Sequence, residues 1–161
     1  MFKFLLGFML SWLCLFAQDS VSKFSETRYI NAINKTINLR GEIAFSTNSI
    51  KIDYIEPKQS IIYENEVLHI TNEKGNKSIN INSEPIMGYF FMIIKAIHDN
   101  DYVLIESYFD MKQTDLSTKL IPKDIAKKYI EEITFTKTNT VLQSLRVITT
   151  KKDRIEIEVI D

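Results

Sequence analysis

The sequence predicts one mainly β (α+β) domain, built of about ten or eleven antiparallel strands with a single apolar helix among them. Three observations predict it. Apolar and polar residues alternate with period two along most of the chain from Ser22 onward. One stretch, Ser83 to Asp99, breaks that period with the 3.6-residue repeat of a helix. The chain of 161 residues also contains no internal repeat, low-complexity linker or Pro/Gly/Ser-rich boundary that would divide it.

In chain order, Phe24, Glu26, Arg28 and Ile30 alternate with Ser25, Thr27, Tyr29 and Asn31. Ile37, Leu39, Gly41, Ile43 and Phe45 then alternate with polar neighbours, which is the pattern of half-buried strands. Asn48-Ser49 is a turn, Ile50, Ile52 and Tyr54 resume the alternation, and Pro57 ends it because it cannot donate to a ladder. Strands over Ser60 to Tyr63 and Val67 to Thr71 hinge at Glu64-Asn65-Glu66, where Asn65 suits the left-handed backbone of a tight hairpin. Glu73 to Asn76 turns into a strand over Ser78 to Asn82.

The helix follows. Ser83 is the expected N-cap, with Glu84 and Pro85 in the first turn, where negative charge and a missing N–H both suit the backbone. Ile86, Phe90, Ile93 and Ile97 form one stripe, widened by Met87, Phe91 and Ile94 on one flank and by Tyr89, Met92 and Ala96 on the other. Gly88, Lys95 and Asp99 leave only a narrow polar wedge, so the helix carries more apolar surface than one sheet contact needs.

Beyond it, Tyr102 to Glu106 and Tyr108 to Gln113 read as two strands or as a helical piece followed by a strand. Leu116 to Ile121 is a strand, and Pro122-Lys123-Asp124 opens a short helical turn with Ile125, Ala126 and Tyr129 inward. Strands over Ile130 to Lys137, Val141 to Thr149 and Arg154 to Ile160 close the chain.

A formal net charge of −1 gives no basic field for nucleic acid. The N-terminus sets the compartment: Lys3 precedes an uncharged run from Phe4 to Ala17, and Leu15-Phe16-Ala17 ends it on a small residue. That run is shorter than the roughly 20 residues needed to cross a bilayer, so residues 1–17 are expected to be a cleaved signal peptide and 18–161 the exported domain. Trp12-Leu13 precede Cys14 without the small residue that lipid modification wants upstream, so Cys14 is expected to leave with the peptide.

Chemistry is sparse. His69 and His98 stand apart with no cysteine in the exported part, and His98-Asp99-Asn100-Asp101 lacks the glycine and distal glutamate of a calcium loop. Nucleophile elbows, phosphate loops and dinucleotide fingerprints are absent from a chain with four glycines. No catalytic residue, metal or cofactor is expected, and the protein is read as a non-enzyme.

Three runs carry a family resemblance: Gly41-Glu42-Ile43-Ala44-Phe45, Ile52-Asp53-Tyr54-Ile55-Glu56-Pro57, and Ser60 through Leu68. With Leu116, Leu120-Ile121-Pro122-Lys123, Ile130, Ile133 and Leu145 placed in order behind them, the chain resembles the LolA family of periplasmic outer-membrane lipoprotein carriers. The resemblance implies an open half-barrel whose concave apolar face lies under a helical lid, in a monomer. It implies that the protein takes triacylated lipoproteins from an inner-membrane ABC transporter, shields their acyl chains across the periplasm, and delivers them to an outer-membrane acceptor. The lid is then Pro85 to Ile97, with Met87, Phe90, Phe91 and Ile94 toward the ligand, and Ile37, Leu39, Ile43, Phe45, Ile52 and Tyr54 line the concave face. The family's Arg-Pro pair, whose arginine bonds the lid backbone, is replaced here by Asn48-Ser49. A carrier of another lipid, or a sensor or adaptor that binds protein or peptide in the same cleft, is the alternative.

Overall fold

Eleven antiparallel strands form one continuous sheet in a computed structural model that describes residues 20–160. The expected signal peptide and Cys14 lie outside the described residues. The first half runs β1 (Ser20–Ile30), β2 (Lys35–Phe45), β3 (Ser49–Tyr54), β4 (Gln59–Glu64), β5 (Val67–Asn72) and β6 (Gly75–Asn80). Two helices follow, α1 (Pro85–Asp99) and α2 (Tyr102–Tyr108). The second half is β7 (Phe109–Gln113), β8 (Thr118–Pro122), β9 (Ile130–Thr138), β10 (Val141–Thr149) and β11 (Arg154–Ile160).

The spatial order is β6-β5-β4-β3-β2-β1-β11-β10-β9-β8-β7. Each half is a meander, and the pairing of β1 with β11 welds the first and last strands into the middle of the sheet. β6 and β7 are therefore the two free edges, and the chain passes from one to the other through the helices. The sheet stays open, with α1 and α2 over its apolar face. Both edges are blunted by charge and polarity: Asn76, Lys77 and Ser78 on β6, Asp110 and Lys112 on β7.

Register turns the period-two pattern into rows. Ile43, Ile52, Ile61 and Ile70 are cross-strand neighbours across β2 to β5, and Phe45, Ile50, Tyr63, Leu68 and Ile79 form the next row. In the second half Ile155, Val147, Ile133, Leu120 and Met111 line up in the same way. Side chains two residues apart share a face, so these rows make one apolar surface. Gly41 lies between Phe24 and Tyr54 in register, and the Phe24 ring covers it to meet Tyr54 edge-on at 5.8 Å. A Cβ there would lie 3.0 Å from Phe24 Cζ and closer still to the Asp53 carbonyl oxygen, so the glycine is a requirement of packing.

α1 lies on this surface with Phe90, Phe91, Ile93, Ile94, Ala96 and Ile97 buried. Two local expectations are corrected and one open alternative is decided. Ser83 does not cap α1: its Oγ donates to the Asn80 carbonyl at 2.7 Å inside a 3-10 turn (Ile81–Ser83), and Glu84 takes the N-cap position. Tyr102 to Tyr108 is a second helix, capped by the Asp101 carboxylate accepting from Leu104 N at 3.0 Å. Ile125 points outward, 62% exposed, because the segment Asp124–Lys128 is a 3-10 turn whose single inward slot is filled by Ala126.

Candidate ligand pocket between the helices and the sheet

The ten residues expected to meet ligand divide by location. Ile43, Phe45, Ile52 and Tyr54 from the sheet and Phe90, Phe91 and Ile94 from α1 are buried together in one core. Leu39 and Met87 are half-buried against it, and Ile37 is half-buried farther out along β2. Helix and sheet therefore fill the space between these residues with each other.

The open volume lies beside them, at the N-terminal end of α1. A pocket of about 510 Å³ is bounded by Pro85, Gly88, Tyr89 and Met92 on one face of α1, and by Leu104 and Tyr108 on α2. Tyr63 on β4, Glu66 in the β4–β5 turn, Ile81 and Asn82 after β6, and Ile125 and Tyr129 complete the lining. None of the ten expected residues lines it, and Tyr54 instead borders a separate hollow of about 410 Å³ with Asp53 and Lys58. Met92, which the helical pattern places on the adaptable flank of α1, does line the pocket, whereas Phe91 beside it is fully buried.

The close approach that shapes this pocket depends on Gly88. A Cβ there would stand 2.7 Å from Ile81 Cγ1 and 3.2 Å from its Cδ1, so a side chain on Gly88 would force the Ile81 side chain out of its place against the helix. Tyr89 is the hub of the aromatic wall: its ring meets Tyr108 at 5.9 Å and 72°, Phe109 at 6.2 Å and 89°, and Tyr129 at 6.2 Å and 37°. Such edge-on and tilted pairs follow the ring quadrupoles. Burial raises the Tyr89 hydroxyl pKa, with Tyr108 and Tyr129 adding to it, and burial followed by the charge of Glu66 raises that of Tyr63. Both stay protonated, neutral donors throughout the physiological range.

Two polar devices stand away from the pocket and tie the surrounding elements together. Glu26, 1% exposed on β1, accepts from the Tyr54 hydroxyl at 2.6 Å and pairs with Arg28, whose Nη2 donates to the same hydroxyl at 2.8 Å. Burial lowers the Arg28 pKa, but the hydrogen bond and charge of Glu26 outweigh it and the net shift is upward. Burial likewise raises that of Tyr54 well above the ordinary phenol, with the Glu26 charge next in weight. The alternation of β1 placed Glu26 on the inner face, yet no sequence signal joined it to Tyr54.

The second device is at the C-terminal end of α1. Lys137 on β9 donates from Nζ to the Ile97 carbonyl at 2.9 Å and to Asn100 Oδ1 at 2.6 Å, placing positive charge at the negative end of the helix dipole. Desolvation lowers its pKa. Asn48-Ser49 lies instead between β2 and β3, where Ser46 N donates to the Ser49 carbonyl. The cation on the helix backbone thus comes from the other half of the sheet. His98 also stacks on Phe45 at 3.9 Å, tying the same end of α1 to β2.

Among the described residues there is no group of three or more metal-ligating side chains, and no helix is long and apolar enough to cross a membrane. The chain matches no protein-family model and no curated protein. Among solved structures it is similar to a LolA superfamily protein from Nitrosomonas europaea, at 7% identity over 89% of this chain and 84% of that one, with a TM-score of 0.40. It is also similar to a putative outer membrane lipoprotein-sorting protein domain from Vibrio parahaemolyticus, at 11% identity over 89% of this chain and 83% of that one, with a TM-score of 0.40.

Proposed function

We propose that this protein is an exported carrier of acyl chains, made with a cleaved signal peptide over residues 1–17 and working in the periplasm. Its cargo is triacylated lipoprotein, received from an inner-membrane ABC transporter and passed to an outer-membrane acceptor. The observation that carries the reading is the pocket of about 510 Å³ between an apolar helix and an open sheet, a volume within the range of small-molecule sites. At about 0.8 kcal/mol per methylene, an ordinary acyl chain holds on the order of 12 kcal/mol of hydrophobic transfer energy, so it crosses water only under cover.

Met92 supplies the adaptable surface such a ligand needs, and the helical cover hangs between two free sheet edges. A chain longer than the pocket would extend under α1, toward the residues expected from the sequence. That movement takes α1 off Phe45 and Lys137, both of which hold its C-terminal end.

The test is titration of delipidated protein with a fluorescent acyl probe. Saturable binding is expected, weakened at least tenfold by Met92→Glu or Leu104→Glu with an unchanged far-UV circular dichroism spectrum. A wild-type protein that shows no saturable binding ends the carrier reading. Mass spectrometry of the exported native protein then separates the cargoes: co-purified lipoprotein supports the proposed route, and free lipid selects a carrier of another lipid. The same spectrum is expected to show a chain beginning at Gln18.

A further inference from the structure

The pocket has a chemical sign. Its lining includes one carboxylate, Glu66, and no lysine, arginine or histidine. The Glu66 carboxylate makes no ion pair and no hydrogen bond among the described residues, although its charge is felt by the Tyr63 hydroxyl. It stands at φ +61°, behind Asn65 at φ +49°, in the two-residue turn between β4 and β5. A turn of this hand ordinarily gives such a position to Asn, Asp or Gly, so the backbone does not explain a glutamate there. In the same lining, Tyr89 and Tyr108 make a corner with ring planes 72° apart, and Tyr129 lies at 6.2 Å from Tyr89. Hydroxyls of Tyr63, Tyr89, Tyr108 and Tyr129 have no hydrogen-bond partner among the described residues, and none is a buried unsatisfied atom.

An unpaired, exposed carboxylate in a lining shared with four tyrosines is attractive to a cation and repulsive to an anion. Ring quadrupoles add to the carboxylate's field, and perpendicular aromatic walls with an acid at the rim suit ammonium groups. We propose that this pocket takes an amphiphile whose apolar chain enters between α1 and α2 and whose polar end is a protonated or quaternary amine beside Glu66. The inference rests on the carrier reading above and adds the charge of the head group. A lipid head group and a lysine side chain next to a lipidated residue share this chemistry, whereas the acylated N-terminal nitrogen of a triacylated lipoprotein is a neutral amide.

Three short-chain probes that differ only at the head test it, each used below its micelle concentration: decyltrimethylammonium, decyl maltoside and undecanoate, read by displacement of the fluorescent acyl probe at pH 7.5. Decyltrimethylammonium is expected to bind about tenfold more tightly than undecanoate, equivalent to about 1.4 kcal/mol. Glu66→Gln keeps the size of the side chain and is expected to shrink that ratio to about twofold while leaving decyl maltoside unchanged. Added salt is expected to shrink it in wild type as well. Equal binding of the three probes, tightest binding of undecanoate, or an equal loss of all three in Glu66→Gln overturns the inference and leaves the carrier reading standing. Failure of all three to bind overturns both. If the amine preference holds, decylamine and an N-acetylated, lysine-containing dipeptide carrying a decyl ester then distinguish the two sources.

Discussion

Replacing Glu26 by Gln removes a full charge from the least exposed ionisable side chain on the sheet's inner face. Glu26 is 1% exposed and accepts from the Tyr54 hydroxyl at 2.6 Å, while Arg28 pairs with it and donates to the same hydroxyl. Removing one partner of a buried ion pair costs about 3–5 kcal/mol, because the other charge is left without compensation. Here the Arg28 side chain is 33% exposed and keeps some water, which places the expected loss at the low end, about 3 kcal/mol. For a domain of this size that is a fall of about 10 °C in melting temperature. The assay is urea unfolding followed by far-UV circular dichroism, since the single tryptophan, Trp12, belongs to the expected signal peptide. A double-mutant cycle with Tyr54→Phe is expected to show coupling of about 1–2 kcal/mol, as for residues that share one network. The combined Glu26→Leu, Arg28→Met, Tyr54→Phe variant is expected to recover most of the loss, because an apolar replacement of the whole cluster leaves no orphaned charge. A Glu26→Gln loss below 1 kcal/mol with no coupling to Tyr54 refutes the reasoning.

Two further outcomes follow from the packing. Gly41→Ala is expected to cost about 3 kcal/mol, the upper end for overpacking, because its Cβ would press on the Phe24 ring and the Asp53 carbonyl at once; a urea midpoint within error of wild type would contradict that. Lys137→Met is expected to lose about 1–2 kcal/mol and to speed amide exchange in the last turn of α1 while leaving β2 and β3 protected; uniform exchange at all three would contradict the local account.

Strands and the main helix were legible in the residues because their signals are local. Alternation from Phe24 to Tyr54 follows from the two-residue period of a strand, and the inward places of Ile43, Phe45 and Ile52 follow with it. The end strands were read to the residue, Val141–Thr149 and Arg154–Ile160, since polar turns precede each of them and separate the two. Ser83 was misread as a cap because Ser, Asn and Glu in a row offer several capping geometries, and the preceding 3-10 turn claimed the hydroxyl. Tyr102 to Tyr108 was undecided because seven residues are too few to separate the two periods.

By itself, then, the sequence determined which segments are strands, which is the apolar helix, and which face of each is apolar. Tertiary structure decided that β1 pairs with β11, that β6 and β7 remain free edges, and that Phe91 is packed while Met92 borders a void. It also brought Tyr63, Glu66, Tyr89, Tyr108 and Tyr129 to one pocket from a strand, a turn, two helices and the end of a 3-10 turn. The physical reason is range. Periodicity records how each residue meets its own sheet face or helix stripe, whereas a cavity is the space left over when distant segments pack. No local pattern encodes that remainder.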